Sequence, residues 1–355
     1  MLADRRRLMI STLGVGLVVA LILLLQGLWA GVLDGVSAYP ERVGASLFVR
    51  QPRTQNLIVG AVPLSALKAV REVSGVREAD PVIARYVILD LHGSKEAVSV
   101  IGFEPGGLGG PWQMAEGRGP RASGEVVIDQ SLAGAHGISV GADVMIQGEE
   151  FRVVGLSART RTLFGGGFLF MTFPSAQSLF RQTQTATFVL AKTEDPRSAA
   201  VVIRDRTGLA ADSPGVVSSD QRAVYAGVLG RIFDVIIVIA FIAGTMIVAL
   251  TVYSAVVDRL PEYGIMKAMG AGPRRLFAIV AGQTLVLSGA GTLTGLALFA
   301  VASRLLALIR PESPSPLSLG ALGGVALAAV AMAVLAAILP TRRVERLDAA
   351  TVYRR

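Results

Sequence analysis

Cysteine is absent from the 355-residue chain. That excludes a disulfide-stapled scaffold, thiol nucleophiles and thiolate metal sites. Histidine is almost absent. His92 and His136 lie far apart, at no metal-ligand spacing. Charge is also scarce, at 17% of residues against about 25% in an ordinary soluble domain. No serine stands in a G-x-S-x-G nucleophile elbow. The Ser94–Lys95 adjacency sits in a turn, where neighbours do not build a general-base pair. The glycine-rich stretch 164–170 is followed by no Lys-Ser or Lys-Thr, so it does not read as a phosphate-cradling loop. Glu149 and Glu150 read as a solvated hairpin tip. The sequence therefore shows no catalytic constellation, no metal site and no bound cofactor of its own.

What is present is apolar length. Hydrophobic residues make up 52% of the chain. Four stretches, 8–33, 235–257, 276–303 and 317–340, contain no charged residue. Each exceeds the roughly 20 residues that a helix needs to cross a bilayer. At about 1.5 Å per residue the shortest reaches about 35 Å. The first run is too long for the apolar segment of a secretory signal and reads as a retained helix. The expected fold is an α-helical membrane protein with four transmembrane helices. A large mixed α/β domain, 34–231, lies between helices 1 and 2.

The net charge of +8 is uneven. Arg5, Arg6 and Arg7 precede the first run. Arg259, Lys267, Arg274 and Arg275 lie in segment 258–275, and five arginines follow Pro340. The large block is nearly neutral. Basic residues in short flanks mark the cytoplasmic side. Residues 1–7, 258–275 and 341–355 are therefore expected in the cytoplasm, with 34–231 and 304–316 outside. Lipid headgroups and topology account for the basic excess, so no nucleic-acid partner is implied.

Strand signals in the outer block fall at 46–50, 86–91, 97–103, 125–129, 143–156, 168–173 and 185–191. The pairs 86–91/97–103 and the two halves of 143–156 read as hairpins. Short helices are expected from Pro63 to Gly75, over 129–137 with Asp129 or Ser131 as cap, over 173–180 and over 196–208. Tyr225, Leu229, Ile232, Phe233 and Ile236 form an apolar stripe running into the second membrane helix, which reads as a stalk. Loop 104–121, with Trp112 and Met114, reads equally as a partner contact or a mobile connection. The membrane runs hold few polar groups, chiefly Gln26, Thr251, Gln283 and Thr294. Their glycines and alanines permit close helix packing.

Segment 258–277 reads as a short amphipathic helix, opened by Pro261 and stopped by Gly270 and Gly272. Tyr263, Met266 and Met269 form its apolar side, and Glu262 and Lys267 are its polar members. By itself it is either an interfacial helix resting on lipid or a docking element. Its run Glu262, Gly264, Ile265, Met266, Lys267, Ala268, Met269, Gly270, Ala271 resembles the cytoplasmic segment of FtsX/MacB/LolC-type permeases, roughly E-x-G-I-L-K-A-L-G-A. Methionines replace two leucines. The ending resembles that family's closing motif at Pro340, Arg343, Leu347, Asp348 and Arg354, with Ala349 for a proline and Tyr353 for a leucine. Segment 124–156 resembles the family's strand–helix–hairpin.

The resemblance implies a MacB-like periplasmic core domain and a type VII ABC transporter permease subunit without a fused ATPase domain. It implies a separate cytoplasmic ABC ATPase dimer that binds the ATP, and a permease homodimer or heterodimer. It further implies an extracytoplasmic adaptor, hydrolase or lipoprotein as partner, in a bacterial cytoplasmic membrane. On the same basis Glu262, Tyr263, Gly264, Ile265, Met266, Lys267, Met269 and Gly270 are the ATPase-coupling residues. Arg342, Arg343 and Asp348 make cytoplasmic tail contacts. The expected function is transmission of ATP-driven motion to the outer domain, for export of lipid, lipoprotein or another substrate, or for activation of an envelope partner. The competing reading is a membrane-anchored scaffold or sensor without ATP coupling.

Overall fold

The computed structural model describes residues 2–91, 93–162, 166–258, 260–309 and 319–345. The chain divides into two compact units. One comprises 1–29, 230–309 and 314–355, and the other 30–229 with 310–313. The mixed α/β domain expected outside the membrane, termed the outer domain, is the second unit.

Helix α1 (Leu2–Arg42) precedes strands β1 (Leu47–Arg50) and β2 (Val62–Pro63), then α2 (Ser65–Arg71). A long hairpin follows, β3 (Val76–Leu91) and β4 (Ser94–Phe103). Next come β5 (Met114–Gly117), β6 (Glu125–Asp129), α3 (Gln130–Ala135), β7 (Asp143–Ile146) and β8 (Glu149–Ser157). Strands β9 (Arg161–Thr162) and β10 (Gly166–Thr172) lead to α4 (Phe173–Leu179). The domain closes with β11 (Thr185–Ala186), β12 (Phe188–Thr193), α5 (Pro196–Thr207), β13 (Ala210–Asp212) and α6 (Pro214–Tyr225).

One mixed sheet carries the domain, in the order β13-β1-β12-β3-β4-β10-β6-β8-β5, with β7 paired to β8 and β9 to β10. The β6–β8 and β10–β4 pairs are parallel, and the other pairs in that order are antiparallel. Both faces are covered, which explains the uninterrupted apolar strands. In β10 the side chains alternate strictly. Leu169 and Met171 join one cluster with α3 and α4, and Phe168 and Phe170 join an aromatic layer on the other face. In β12, Phe188 and Leu190 enter that same aromatic layer, while Val189 and Ala191 pack with Val70, Ala199 and Ile203.

Polar groups fix the turns. Asp129 is the cap of α3. Its Oδ1 accepts from the Ser131 and Leu132 amides at 2.9 and 3.2 Å, and its Oδ2 accepts from the Thr160 amide and hydroxyl at 3.1 and 2.7 Å. Thr172 caps α4 and Asp195 caps α5. Pro63 departs from expectation. It belongs to β2, paired with β11, and the helix starts two residues later at Ser65. Strand β3 begins ten residues before the expected 86, because Pro81 and the charges Arg77, Glu78 and Asp80 disguise a stretch buried from Ala79 to Ala84.

The membrane unit contains the first part of α1, α7 (Arg231–Asp258), α8 (Leu260–Ala268), α9 (Pro273–Ile309) and α10 (Leu319–Glu345). Among the described residues three helices are long and apolar enough to cross a membrane: Thr12–Arg42, Pro214–Asp258 and Arg274–Leu306. The fourth expected crossing is supported only by a shorter apolar stretch, Gly323–Ile338, within α10. The expected loop 304–316 begins inside α9, which stays helical to Ile309, and its remainder from 310 lies outside the described residues. Helix α7 buries Ala240, Gly244, Val248, Val252 and Val256, one residue per turn. Its other faces expose Val235, Ile239, Ile242, Met246 and Leu250, a surface suited to lipid. Gly291 and Gly295 mark a tight crossing of α9 with α1. A methyl group at Gly295 would lie 2.6 Å from Val19 of α1.

The helical backbone is continuous from Pro214 to Asp258, with a π-helical segment at Ala226–Gly230. A π turn inserts a residue and rotates the following side chains. The expected stripe does not stay on one face: within α7, after that segment, Phe233 is buried, whereas Ile232 and Ile236 are exposed.

Candidate functional site: the helix between the second and third membrane helices

Helix α8 is short, and its ends define it. Pro261 lies in the first turn, where the missing amide hydrogen costs nothing. Glu262 stands at the positive end of the helix dipole and Lys267 at the negative end. The C-terminus is a Schellman closure. The Ala271 amide donates to the Met266 carbonyl at 2.9 Å, and the Gly270 amide donates to Lys267 at 3.0 Å. Gly270 adopts φ +92°, a left-handed value that favours glycine. Met266 and Ala271, the two residues that such a closure brings together, pack on the same apolar cluster. Pro273 then opens α9.

This geometry sorts the expected coupling residues into two groups. Tyr263 is only 3% exposed, and its hydroxyl donates to Gln283 Oε1 of α9 at 3.3 Å. Gly264 is buried, and Met266 is half-buried against the core of the unit. Lys267 is half-buried and has interactions of its own. Glu262, Ile265 and Met269 are exposed, the latter two at 54% and 75%. The expected apolar side of Tyr263, Met266 and Met269 is thus corrected. At about 100° per residue, Glu262, Ile265 and Met269 share a face by their i, i+3, i+7 spacing, and Tyr263 points away from it. Inner residues anchor the helix, and outer residues offer two large apolar groups beside a carboxylate.

Of the tail residues, Arg342 and Arg343 fall within α10, and Asp348 lies outside the described residues. His92 and residues 163–165 also lie outside them. His136 Nε2 is 3.2 Å from Glu96 Oε1, a contact between α3 and β4. Among the described residues no cluster of three or more His, Cys, Asp or Glu forms a metal site.

In the outer domain, loop 104–113 packs inward. Trp112 meets Phe168 and Phe170 edge-on, with centroids at 5.6 and 6.2 Å, and Tyr39 donates to the Gly109 carbonyl at 3.1 Å. Asp80 holds the same loop through the Leu108 amide at 2.9 Å. Arg50, 6% exposed, bonds Asp212 at 2.9 Å and also Asp220, tying β1 to β13 and α6. Those partners are more than 160 residues away, so no local pattern could have revealed the cluster.

These features define a multi-pass membrane protein with one large mixed α/β domain and a membrane bundle holding a short helix between its second and third long helices. Residues 8–205 match the MacB-like periplasmic core domain, and residues 235–349 match the FtsX-like permease C-terminal region. The chain belongs to the FtsX/MacB-type ABC transporter permease family. The uncharacterized ABC transporter permease Rv0072 of Mycobacterium tuberculosis H37Rv is 25% identical over 307 residues, covering 86% of this chain and 84% of the relative. Rv2563 of the same organism is 26% identical over 311 residues, with the same coverage. Among solved structures, the periplasmic region of MacB from Actinobacillus actinomycetemcomitans is similar at TM-score 0.40 and 12% identity, over 50% of this chain and 94% of that one. The extracellular domain of the ABC-type transporter YknZ from Gram-positive bacteria is similar at TM-score 0.36 and 15% identity, over 48% and 98%.

Proposed function

We propose that this permease transmits ATP-driven motion from a separate cytoplasmic ATPase dimer to its outer domain, with α8 as the docking element. In this reading the membrane unit crosses four times, both termini and α8 are cytoplasmic, and two permease chains share one ATPase pair. The work done outside is export of a lipid, lipoprotein or other substrate, or activation of an envelope partner. The subunit itself is non-catalytic.

The observation that carries the reading is the two-sided character of α8. A helix merely resting on lipid needs no anchored inner face and no carboxylate beside its outer apolar residues. Tyr263, Met266 and Ala271 join the bundle core, leaving Ile265 and Met269 exposed beside Glu262. An apolar pair flanked by one charge suits a groove that selects its partner by both shape and sign.

The test replaces Ile265 and Met269 with aspartate, and separately makes Glu262→Lys. Both variants should express and insert normally, yet lose ATPase co-purification and stimulated ATP turnover by at least tenfold. Normal partner binding by the folded double variant would reject the docking role. Single cysteines placed at Lys267 and Ser94, in a chain with no native cysteine, test the sidedness. An impermeant reagent should label Ser94→Cys and spare Lys267→Cys in intact cells. Labelling of Lys267→Cys would reverse the topology.

A further inference from the structure

The helical backbone is continuous from Pro214 to Asp258, yet its two packed stretches are out of phase. In α6 the buried residues are Val217, Ser218 and Gln221. In α7 they begin with Phe233 and Ala240. At about 100° per residue, an ordinary α-helix would set Phe233 and Ala240 about 100° round from the middle of the α6 face. That offset is one residue. The π-helical segment Ala226–Gly230 takes up one residue, because its turns are wider than α turns.

The residues just before the segment are firmly held. Asp220 pairs with Arg50 of β1, and Gln221 accepts from the Leu57 amide at 3.4 Å. Arg222 donates to Ser37 Oγ and Glu41 Oε1 of α1 at 2.8 and 3.0 Å. The hydroxyls of Tyr225 and Tyr86 of β3 are 3.2 Å apart. The end of α6 is therefore tied to two strands and to the last turns of α1, and it moves with the outer domain.

The segment itself has no such ties. None of its five residues is buried, and none carries a polar side chain. Val228 is 67% exposed, and a methyl group added at Gly227 would meet nothing within 4 Å. Two of the five are glycine, the weakest helix former after proline. A π segment is also one of the few places where a long helix bends sharply. In α1, Gly27, Gly31 and Gly35 precede the clamp at Ser37, so that helix too has weak positions where it can follow a bend.

We propose that Ala226–Gly230 is a hinge on which α6, carrying the outer domain, swings against α7. The stored residue is what makes the bend possible: it holds open the wide turns while both packed stretches keep their faces. The hinge rests on the motion-transmission reading for its purpose, but its existence is tested without an ATPase.

The test uses the full chain in nanodiscs. Deleting Gly227 removes the stored residue, turns the segment into ordinary α-helix and leaves both packed stretches in phase. Backbone hydrogen exchange over 226–232 should run at least tenfold faster than over 217–223 in the parent, and should slow at least tenfold in the deletion variant. Spin labels at Ser219→Cys and Ile239→Cys, in a chain with no native cysteine, should give a distance distribution at least twice as broad in the parent as in the deletion variant. The Gly227 deletion should insert and melt like the parent. Deleting Ile247, between the buried Gly244 and Val248, should lower the melting temperature. Gly227→Ala, which removes no residue, should slow exchange over the segment at least threefold. A Gly227 deletion that does not fold would refute the phase argument and overturn the proposal. So would unchanged exchange in Gly227→Ala, or equally broad distributions in parent and deletion variant. With a co-purified ATPase, ATP should shift the distribution in the parent and not in the deletion variant. A hinge that passes the first measurements but ignores ATP would count against motion transmission while still supporting the hinge.

Discussion

The two units use the same apolar residues to opposite ends. In β10, Leu169, Phe170 and Met171 are fully buried, and the strand is apolar because it has no outside. In α7, Val248 and Val252 are buried while Met246 and Leu250 are exposed, and the two sets are chemically alike. In the outer domain, hydrophobicity identifies the core. In the membrane unit it identifies only the surrounding solvent, and the packed face is marked by residue size instead. Gly16, Gly244, Gly291 and Gly295 sit where a methyl group would meet a neighbouring helix within 3 Å, whereas Gly282 and Gly289 face open space.

The largest effect expected from this contrast concerns aromatic truncation. Phe170→Ala removes a fully buried ring from the aromatic layer and should cost about 3–5 kcal/mol. Leu250→Ala, at a position 70% exposed, should change stability by less than about 0.5 kcal/mol. Proteolysis of the full-length chain in a urea series, read separately for fragments of each unit, measures both. A large loss in Leu250→Ala would show that α7 packs against another protein at that face, and the contrast would need redrawing around a dimer.

A smaller effect sharpens the size rule. Gly295→Leu drives a side chain into Val19 and should destabilise the bundle by about 1–3 kcal/mol. Gly282→Leu, in the same helix, should be neutral to within about 0.5 kcal/mol. Thermal aggregation in detergent compares the two. Helix propensity favours leucine at both positions, so equal losses would mean that the crossing at Gly295 does not decide the cost.

The same contrast explains what was legible in the sequence. Long uncharged runs and β-branched stretches gave the architecture, since both report the solvent that a segment must satisfy. The cap of α3 was legible as Asp129 or Ser131, because the capping carboxylate acts within three residues, whereas Asp195 as the cap of α5 was not read from the sequence. The first ten residues of β3 were not, since Pro81 and three charges interrupt the pattern. Nor was the true outer face of α8. Met266 and Met269 look alike in sequence, and only the packing of α8 on the bundle core separates them. The Arg50 cluster gathers partners from β13 and α6, so it has no local signature.

The smallest effect separates the units by pH. Glu125, at the start of β6, accepts a two-pronged pair of hydrogen bonds from Arg118, with one arm at 2.8 Å. It also accepts from the Arg121 and Ala122 amides at 2.8 and 3.2 Å. These donors hold its pKa at about 2, against 4.5 for an ordinary glutamate. The folded state therefore favours the carboxylate. Its contribution is complete above about 4.5 and is lost as pH falls from there towards about 2. Arg118 is exposed and Glu125 half-buried at the surface, so screening by solvent and salt keeps the gain small. Glu125→Gln should lower the melting temperature of the outer domain above pH 5 and converge with the parent as pH approaches 2, with a smaller gap at high salt. Gly295→Leu should show a deficit in the membrane unit that does not change across that window, because its cost is steric. A Glu125→Gln deficit that stays constant down to pH 2 would mean that the side chain acts there through shape, not charge, and would remove this distinction between the two units.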